Sequence, residues 1–303
     1  MKVNYYIIDV FTRTPFDGAQ LAVIPEAEGL DDRQMQLIAR ELNLAESVFL
    51  TGSRSLDACR LRIFSPSNER EFSGHASIAA GFVLARFGYL KITDTHETIT
   101  LQQHVGEIEL VVSGHQRGEL FIQFNRVAEA VTDRFVPANK QLADMLSLKE
   151  QDIANSRYNT LLVSCDLPYL VIPLRSFSAV RAATFNYSQW STAVAPVSPT
   201  NEILLFATKS DIPEANFQAR LLGPQIGVDE DPPIASAMPA FAGYLSAHEH
   251  VKQGTHSFTI DRGTTRTRKS ILSIGLVRQA GKENRIRVGG PAVIDGEGSL
   301  IAP

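Results

Sequence analysis

Two uncharged, almost wholly apolar stretches of helical length stand out in the hydrophobic and polar pattern of the chain. The first covers residues 74–85 and follows a polar loop at residues 65–72. The second covers residues 237–247 and follows an acidic loop that contains prolines. A helix that is apolar on every side has to be buried. Each helix would direct its N-terminal N–H groups and its positive dipole end into the protein, which predicts an anion site at each helix start.

The sequence around these two stretches repeats. Residues 62–66 (RIFSP) align with residues 220–224 (RLLGP), and residues 80–82 (AGF) align with residues 242–244 (AGY), in the same order and at nearly the same spacing. Chance similarity between two proline-containing loops is the alternative explanation. We interpret the repeat as an internal duplication that gives two lobes, each with a buried helix, and a shared cleft between the two helix starts.

The remaining pattern predicts many strands and few helices. Asp31 is predicted to cap a helix that carries Gln34 at capping-box spacing and ends at Asn43. Gly289 and Gly290 are interpreted as a tight turn between two strands. Runs rich in β-branched and aromatic residues predict strands at residues 3–11, 21–24, 48–50, 58–64, 99–101, 108–112, 120–124, 161–164, 169–172, 203–207, 217–222, 258–260, 271–277, 286–288 and 292–294.

The order of these elements defines the fold class. Because strands dominate without a strict β-α-β alternation, the fold is predicted to be α+β. Polar residues without periodicity at positions 126–133 suggest a boundary between an N-terminal lobe of residues 1–128 and a C-terminal lobe of residues 129–303. The last strand, at about residues 291–303, is a candidate to pack back on the N-terminal lobe.

Composition narrows the class of protein. The chain has 303 residues, of which 44% are hydrophobic and 20% charged, as in ordinary globular proteins. A net charge of −4 argues against nucleic acid or an anionic membrane as a partner held by bulk charge. The short N-terminal apolar run is interrupted by Asp9, and neither long apolar stretch would span a bilayer, so a cytoplasmic protein is expected.

No motif in the sequence demands a cofactor or a metal ion. Cys59 and Cys165 lack metal or redox spacing and are expected to act as small buried hydrophobic residues. A dinucleotide fingerprint after a strand, a P-loop, a nucleophile elbow and a zinc-binding HExxH motif are all absent from the sequence. We therefore expect any reaction to be carried out by the protein's own side chains, without a cofactor.

Four polar residues are candidates for that chemistry. Glu46 follows a predicted helix end and precedes an apolar strand, so it is either a solvated loop residue or a partly buried general acid/base. His75 opens the first buried helix and is either structural or a neutral donor to an anionic substrate. Asp231 ends an acidic run that is either a solvated face or part of a binding loop. Ser236 is a candidate N-cap of the second buried helix, a ligand to substrate, or both.

Several segments, in order along the chain, resemble the phenazine-biosynthesis PhzF-like family, which shares its fold with diaminopimelate epimerase. The matching segments are residues 8–11 (IDVF) with 15–18 (PFDG), 43–47 (NLAES), 72–76 (FSGHA), 227–232 (GVDEDP) and 287–292 (RVGGPA). The resemblance implies two similar lobes, each a curved, mostly antiparallel, barrel-like sheet around a central helix. It also implies an active site between the lobes, a homodimer and no cofactor.

The resemblance also assigns roles to residues. It implies that Glu46 is the general acid/base of an isomerase that moves a proton between carbons of a small carboxylate-bearing metabolite. It implies that His75, Asp231 and Ser236 bind and orient the substrate, and that Gly74 makes a backbone contact to the substrate carboxylate. The partner expected from both arguments is a small anionic metabolite.

This chain departs from the family pattern at several places. Racemases of this fold use two cysteines, but Ser73 and, approximately, Ile234 stand at the corresponding positions, which disfavours two-base racemisation. Ile234 and Ala235 replace the usual threonine and glycine, residues 267–270 (TRKS) replace glycine–arginine–proline–serine, and residues 19–20 (AQ) replace asparagine–proline. These departures leave two alternatives: a catalytically silent small-molecule-binding protein, and an epimerase or racemase with bases other than cysteine.

Overall fold

The computed structural model describes residues 2–52, 59–89, 96–114, 119–128, 130–165, 167–196, 200–224, 226, 232–263 and 268–303. The chain divides into two compact units. The first unit consists of Met1–Arg126, Arg268–Ser270 and Arg287–Pro303, and the second consists of Val127–Thr267 and Ile271–Ile286. Both units mix strands with a few helices, so the predicted α+β class is confirmed.

The first unit is a closed barrel of eight strands. In spatial order the strands are β1, β2, β3, β4, β6, β7, β8 and β16, and β16 pairs with β1 to close the ring. The bounds are β1 (Lys2–Val10), β2 (Ala19–Ile24), β3 (Ser47–Gly52), β4 (Cys59–Phe64), β6 (His96–Gln103), β7 (Gly106–Gly114), β8 (Leu120–Ala128) and β16 (Asn284–Ile301), with a two-residue strand β5 (Glu69–Arg70) beside β4.

Two helices accompany this barrel. Helix α1 (Asp32–Leu42) begins with the predicted capping box of Asp31 and Gln34 and ends at Asn43, whose φ of 49° places it in the left-handed region. Helix α2 (Gly74–Arg86) is buried continuously from Gly74 to Leu84. It contacts the barrel strands β1, β2, β3, β4 and β7, so it fills the barrel as the central helix. The predicted burial of the first helix is confirmed for residues 74–84.

The second unit is also a sheet around a buried helix. Its strands, in spatial order, are β15, β14, β13, β12, β11, β10 and β9. The bounds are β9 (Val131–Asp133), β10 (Leu161–Ser164), β11 (Pro168–Pro173), β12 (Glu202–Ala207), β13 (Phe217–Leu222), β14 (Gly254–Arg262) and β15 (Ser270–Arg278). The helices are α3 (Asn139–Met145), α4 (Phe177–Ala182), α5 (Tyr187–Gln189), which continues into a π-helical turn at Trp190–Val194, and α6 (Met238–Ser246).

Helix α6 is the buried helix of the second unit, and every one of its residues is buried. Pro239 lies in its first turn, as predicted, where a missing N–H group costs little. The candidate role of Ser236 as the N-cap of this helix is wrong. Ser236 lies in a preceding 3-10 turn (Ala235–Ala237), and the N-cap position of α6 is Ala237, which supplies no side-chain hydrogen bond. The chain therefore enters α6 through a tighter turn than local sequence suggested.

The strand pairing supports the internal duplication. In the first unit, β2 and β3 are parallel with α1 between them, β3 and β4 are antiparallel, and β4 and β6 are parallel with α2 between them. The second unit repeats this pattern: β11 and β12 are parallel with α4 between them, β12 and β13 are antiparallel, and β13 and β14 are parallel with α6 between them. The two aligned segments lie on β4 and β13, and each leads into a buried helix. The similarity at residues 62–66 and 220–224 therefore reflects a repeated topology.

The predicted turn at Gly289 and Gly290 is wrong, because both residues lie inside the long strand β16. A Cβ atom at Gly289 would lie 2.6 Å from the carbonyl oxygen of Ile122 and 2.6 Å from the Cβ of Gln123. Glycine is therefore required at this position by the close approach of β8, a long-range contact that local sequence does not reveal.

A buried ion pair fixes the loop between β1 and β2. The side chain of Asp9 is wholly buried; its Oδ2 accepts from the Phe16 N–H at 2.7 Å, and its Oδ1 accepts from the guanidinium of Arg268. Arg268 also donates to the carbonyl oxygens of Asp17 at 2.9 Å and Gly18 at 3.3 Å. Burial raises the pKa of Asp9 above its usual value, and the Phe16 N–H and Arg268 oppose that shift. Arg268 therefore serves as both counter-ion and loop anchor.

No helix among the described residues is long and apolar enough to cross a membrane. Of the two cysteines, Cys59 is buried in β4 and Cys165 is half-buried, and neither forms a disulfide within the described part of the chain. The expectation of a small buried residue is therefore met fully by Cys59 and partly by Cys165.

Candidate active site

Glu46 is held in place by the turn between α1 and β3. The left-handed conformation of Asn43 ends α1 and redirects the chain within three residues. The Glu46 carbonyl oxygen then accepts from the Ala22 N–H at 3.2 Å, and the next residue, Ser47, starts β3. The backbone of Glu46 is therefore tied to the barrel, while its side chain is only 12% exposed. A carboxylate fixed in this way is not an ordinary solvated loop residue.

The start of α2 lies inside the first unit. Ser73 occupies the N-cap with extended backbone angles, and its Oγ accepts from the Ala76 N–H at 3.3 Å. Gly74 and His75 form the first turn, and both are buried. Backbone N–H groups and the positive end of the helix dipole therefore face a protein environment rather than bulk water. This is the kind of helix start that favours an anionic group.

Glu46 and His75 meet at this helix start. Glu46 Oε2 lies 2.9 Å from His75 Nε2, and the two side chains are 12% and 7% exposed. The distance is that of an ion pair, but the angles lie outside the range of a hydrogen bond, and among the described residues no hydrogen bond reaches this oxygen. The fold therefore holds the Glu46 carboxylate beside the His75 imidazole, and the described residues leave Glu46 Oε2 able to accept a hydrogen bond.

A row of buried polar groups stands behind His75. Ser73 Oγ lies 3.1 Å from Nδ1 and 3.5 Å from Nε2 of the imidazole, so the hydroxyl faces the side of the ring that carries both nitrogens. Ser77 Oγ donates to the Ser73 carbonyl oxygen at 2.8 Å, and Gln103 Nε2 from β6 donates to Ser77 Oγ at 2.8 Å. These contacts fix the residue that precedes the helix and give it a polar link to the barrel wall.

The two other predicted site residues are Ser236 and Asp231. Ser236 belongs to the second unit and is half-buried in the 3-10 turn before α6, where Ile234 and Ala235 are fully buried. Asp231 lies outside the described residues, as does Thr267 among the departures from the family pattern. The arrangement of all five residues around one cleft stays a prediction.

Two contributors to the site were missed by sequence reasoning. The position of Ser73 before Gly74 is a recognisable N-cap signal and could have revealed its role at the helix start. Gln103 carries no such signal, because its link to Ser77 joins two elements that are distant in sequence.

Among the described residues, no group of three or more His, Cys, Asp or Glu side chains could hold a metal ion.

Comparison with known proteins identifies the family. The family model of the phenazine biosynthesis-like proteins, PhzC-PhzF, matches residues 8–298. The chain belongs to this family. An uncharacterized isomerase of Mesorhizobium japonicum is 30% identical over 98% of this chain and 98% of its own. A trans-2,3-dihydro-3-hydroxyanthranilate isomerase of Pseudomonas fluorescens is 28% identical over 98% of this chain and 99% of its own.

Solved structures agree with the fold of the PhzF family. A phenazine biosynthesis protein of the PhzF family from Bacillus anthracis aligns with a TM-score of 0.87 and 17% identity, covering 99% of each chain. A probable proline racemase from Agrobacterium radiobacter aligns with a TM-score of 0.62 and 14% identity, covering 99% of this chain and 93% of the other. The predicted diaminopimelate epimerase-like fold is confirmed, and the chain is a PhzF-family isomerase.

Proposed function

We propose that this PhzF-family isomerase moves a proton between two carbons of a small carboxylate-bearing metabolite, with Glu46 as the general acid/base. The observation that carries the proposal is the contact between Glu46 and His75, 2.9 Å long and almost wholly buried, at the start of α2. A buried carboxylate beside a neutral donor and a helix N-terminus combines a base with groups that attract an anionic substrate.

The proposed reaction has two proton transfers. The Glu46 carboxylate removes a proton from one substrate carbon, and the electron pair of the broken C–H bond delocalises into an adjacent unsaturated system. The Glu46 carboxyl group then returns a proton to a second carbon, so that the double bond shifts and no net oxidation occurs. One residue can serve first as base and then as acid, because the carboxylate that takes up the first proton becomes the carboxyl group that donates the second. The donation restores the starting carboxylate.

Binding groups complete the proposal. The N–H groups at Gly74 and His75 would hold the substrate carboxylate, because the helix start favours negative charge. The His75 side chain would orient the substrate and stabilise negative charge that develops during proton removal. Asp231 and Ser236 are proposed to contact polar groups of the substrate, in a homodimeric enzyme that uses no cofactor. This scheme requires only protein groups to hold and move the proton.

The test uses the variant Glu46→Gln in deuterated water. The first probe is trans-2,3-dihydro-3-hydroxyanthranilate, on which the Pseudomonas fluorescens relative is named to act, followed by a panel of other small unsaturated carboxylates. Mass spectrometry measures deuterium at substrate carbon, and thermal shift measures binding. We expect Glu46→Gln to keep the thermal shift and to lose about 10²-fold or more of the exchange rate. Glu41→Gln, in the exposed last turn of α1, is the matched control.

Three results would contradict the proposal in different ways. Undiminished exchange in Glu46→Gln would remove Glu46 from the mechanism. A thermal shift without any exchange in the wild-type protein would identify a silent binding protein. Loss of optical rotation in a pure enantiomer, without migration of a double bond, would identify an epimerase or racemase.

A further inference from the structure

The imidazole of His75 has two ways to fill its position, related by a 180° rotation about the Cβ–Cγ bond. In the observed orientation, Nε2 lies 2.9 Å from Glu46 Oε2 and Nδ1 lies 3.1 Å from Ser73 Oγ. The rotated ring would present Cε1 to Glu46 and Cδ2 to Ser73, and neither carbon makes an ordinary hydrogen bond. The two oxygens together therefore favour the observed ring orientation.

The partners also assign the proton positions on the ring. The contact between Nε2 and Glu46 Oε2 lacks the angles of a hydrogen bond, but at 2.9 Å a hydrogen on Nε2 makes it attractive, whereas a lone pair there would face the oxygen lone pairs. A ring that carries its one hydrogen on Nε2 has Nδ1 as its acceptor. Ser73 Oγ already accepts from the Ala76 N–H at 3.3 Å. Its own O–H group can therefore be directed to Nδ1. The Ser73 hydroxyl acts in two directions, as acceptor for the helix and as donor to the ring.

The surroundings keep Ser73 where it can do this. Ser73 is 1% exposed, and Ser77, which binds its carbonyl oxygen, is completely buried. Gln103, itself 9% exposed, binds Ser77 from the barrel wall. Because water has little access to replace the hydroxyl, the contact to Nδ1 depends on this one side chain.

We propose that Ser73 is a positioning residue for His75: its hydroxyl donates to Nδ1 and so keeps a single tautomer, with the Nε2–H group beside the Glu46 carboxylate. The catalytic consequence rests on the proposed function, because it matters only if Glu46 transfers the proton. The tautomer itself is a property of the resting protein and can be measured without any substrate.

The variant Ser73→Gly separates this role from helix capping. Glycine replaces serine at an N-cap with a loss of only a few tenths of a kcal/mol, so helix α2 should persist while the hydroxyl is removed. The matched control is Ser176→Gly, because Ser176 caps α4 by accepting from the Ala179 N–H at 3.2 Å, and none of its hydrogen bonds to described residues involves a histidine. Both variants lose a serine cap, and only Ser73→Gly loses the donor to Nδ1.

The decisive readout is long-range ¹H–¹⁵N NMR of the histidine side chains. The His75 signals are assigned by their absence from the spectrum of His75→Gln, since the chain has 7 histidines. We expect wild type and Ser176→Gly to show His75 as one Nε2–H tautomer and Ser73→Gly to show exchange between two tautomers. Wild type with Nδ1–H, or an unchanged Nε2–H tautomer in Ser73→Gly, would overturn the proposal.

Kinetics provide the second readout. In the deuterium-exchange assay, we expect Ser73→Gly to lower the rate at saturating substrate roughly 5- to 10-fold, the size of one lost hydrogen bond, with little change in KM. Ser176→Gly should keep the wild-type rate. A failure of the proposed function appears differently, as full exchange in Glu46→Gln with the Ser73→Gly tautomer change intact. Wild-type exchange in Ser73→Gly would remove the catalytic role of the hydroxyl.

Discussion

Arg268→Met is expected to destabilise the protein strongly and in a pH-dependent way. The substitution keeps an unbranched side chain but removes the positive charge that faces the buried carboxylate of Asp9. It also removes the donors to the carbonyl oxygens of Asp17 and Gly18. After the change, Asp9 keeps the hydrogen bond from the Phe16 N–H. The variant therefore contains a buried charge that has lost its counter-ion.

The magnitude follows from the burial of the two partners. Asp9 is 0% exposed and the Arg268 side chain is 33% exposed. Loss of one partner of a fully buried pair costs about 3–5 kcal/mol, and because water reaches Arg268 we expect the lower end, about 3 kcal/mol near pH 7.5. Burial already raises the pKa of Asp9, and removal of Arg268 will raise it further.

The raised pKa of Asp9 determines the sign of the pH dependence. A carboxyl group with a raised pKa in the folded state costs stability while it is ionised, and that cost disappears as the pH falls through the folded pKa. The free-energy difference between wild type and Arg268→Met should therefore shrink toward acidic pH. At its acidic limit we expect about 1 kcal/mol, the contribution of the lost bonds to the two carbonyl oxygens.

Urea denaturation of wild type and variant at a series of pH values from 7.5 to 5 measures this difference. Lys269→Met is the matched control, because the hydrogen bonds described for Lys269 involve its backbone. The double variant with Asp9→Asn should recover much of the loss, since it removes the uncompensated charge. A loss in Arg268→Met below about 1 kcal/mol at pH 7.5, or one that does not change with pH, would refute the reasoning.

Two further predictions concern stability. Gly289→Ala should cost about 2 kcal/mol or more in urea denaturation, because the new Cβ would overlap the carbonyl oxygen of Ile122; Gly114→Ala, where no atom lies within 4 Å, should be nearly neutral, and equal effects would contradict the packing argument. Arg62→Met should cost about 1 kcal/mol at low salt, since Arg62 binds both carboxylate oxygens of Glu69 at 2.7 and 2.8 Å. The hydrogen bonds from Arg62 hold the pKa of Glu69 below its usual value, so the stability lost in Arg62→Met should vanish as the pH falls through the lowered pKa of Glu69. A loss of stability that does not depend on pH would argue against the ion pair.

Local sequence predicted the features that depend on neighbouring residues. The capping box of α1 and its end at Asn43 follow from contacts within a few residues, and both are confirmed. The burial of α2 and α6 follows from the absence of charged residues and the predominance of apolar ones along residues 74–85 and 237–247, and it is also confirmed. These features need no knowledge of the partner surface, because the pattern alone excludes an exposed helix.

The features that sequence reasoning missed depend on distant contacts. The continuity of β16 through Gly289 is set by the backbone of β8, which approaches too closely for any side chain. The 3-10 turn at Ser236 was also missed, because Ser, Pro and small residues fit a capped helix start equally well. In the site, the sequence identified Glu46 and His75 separately. Only the folded barrel brings their atoms to 2.9 Å.

The closure of the first barrel has a consequence for how the protein is made. Strand β1 pairs with β16 from Lys2 with Ile301 to Val10 with Ala292, so the seam joins the two ends of the described chain. During synthesis, β1 is translated before the second unit, but its partner segment in β16 is translated after that unit. Until then β1 presents an unpaired edge, which is an aggregation hazard. Folding of the N-terminal unit should therefore be slow and should finish only after the whole second unit has been translated.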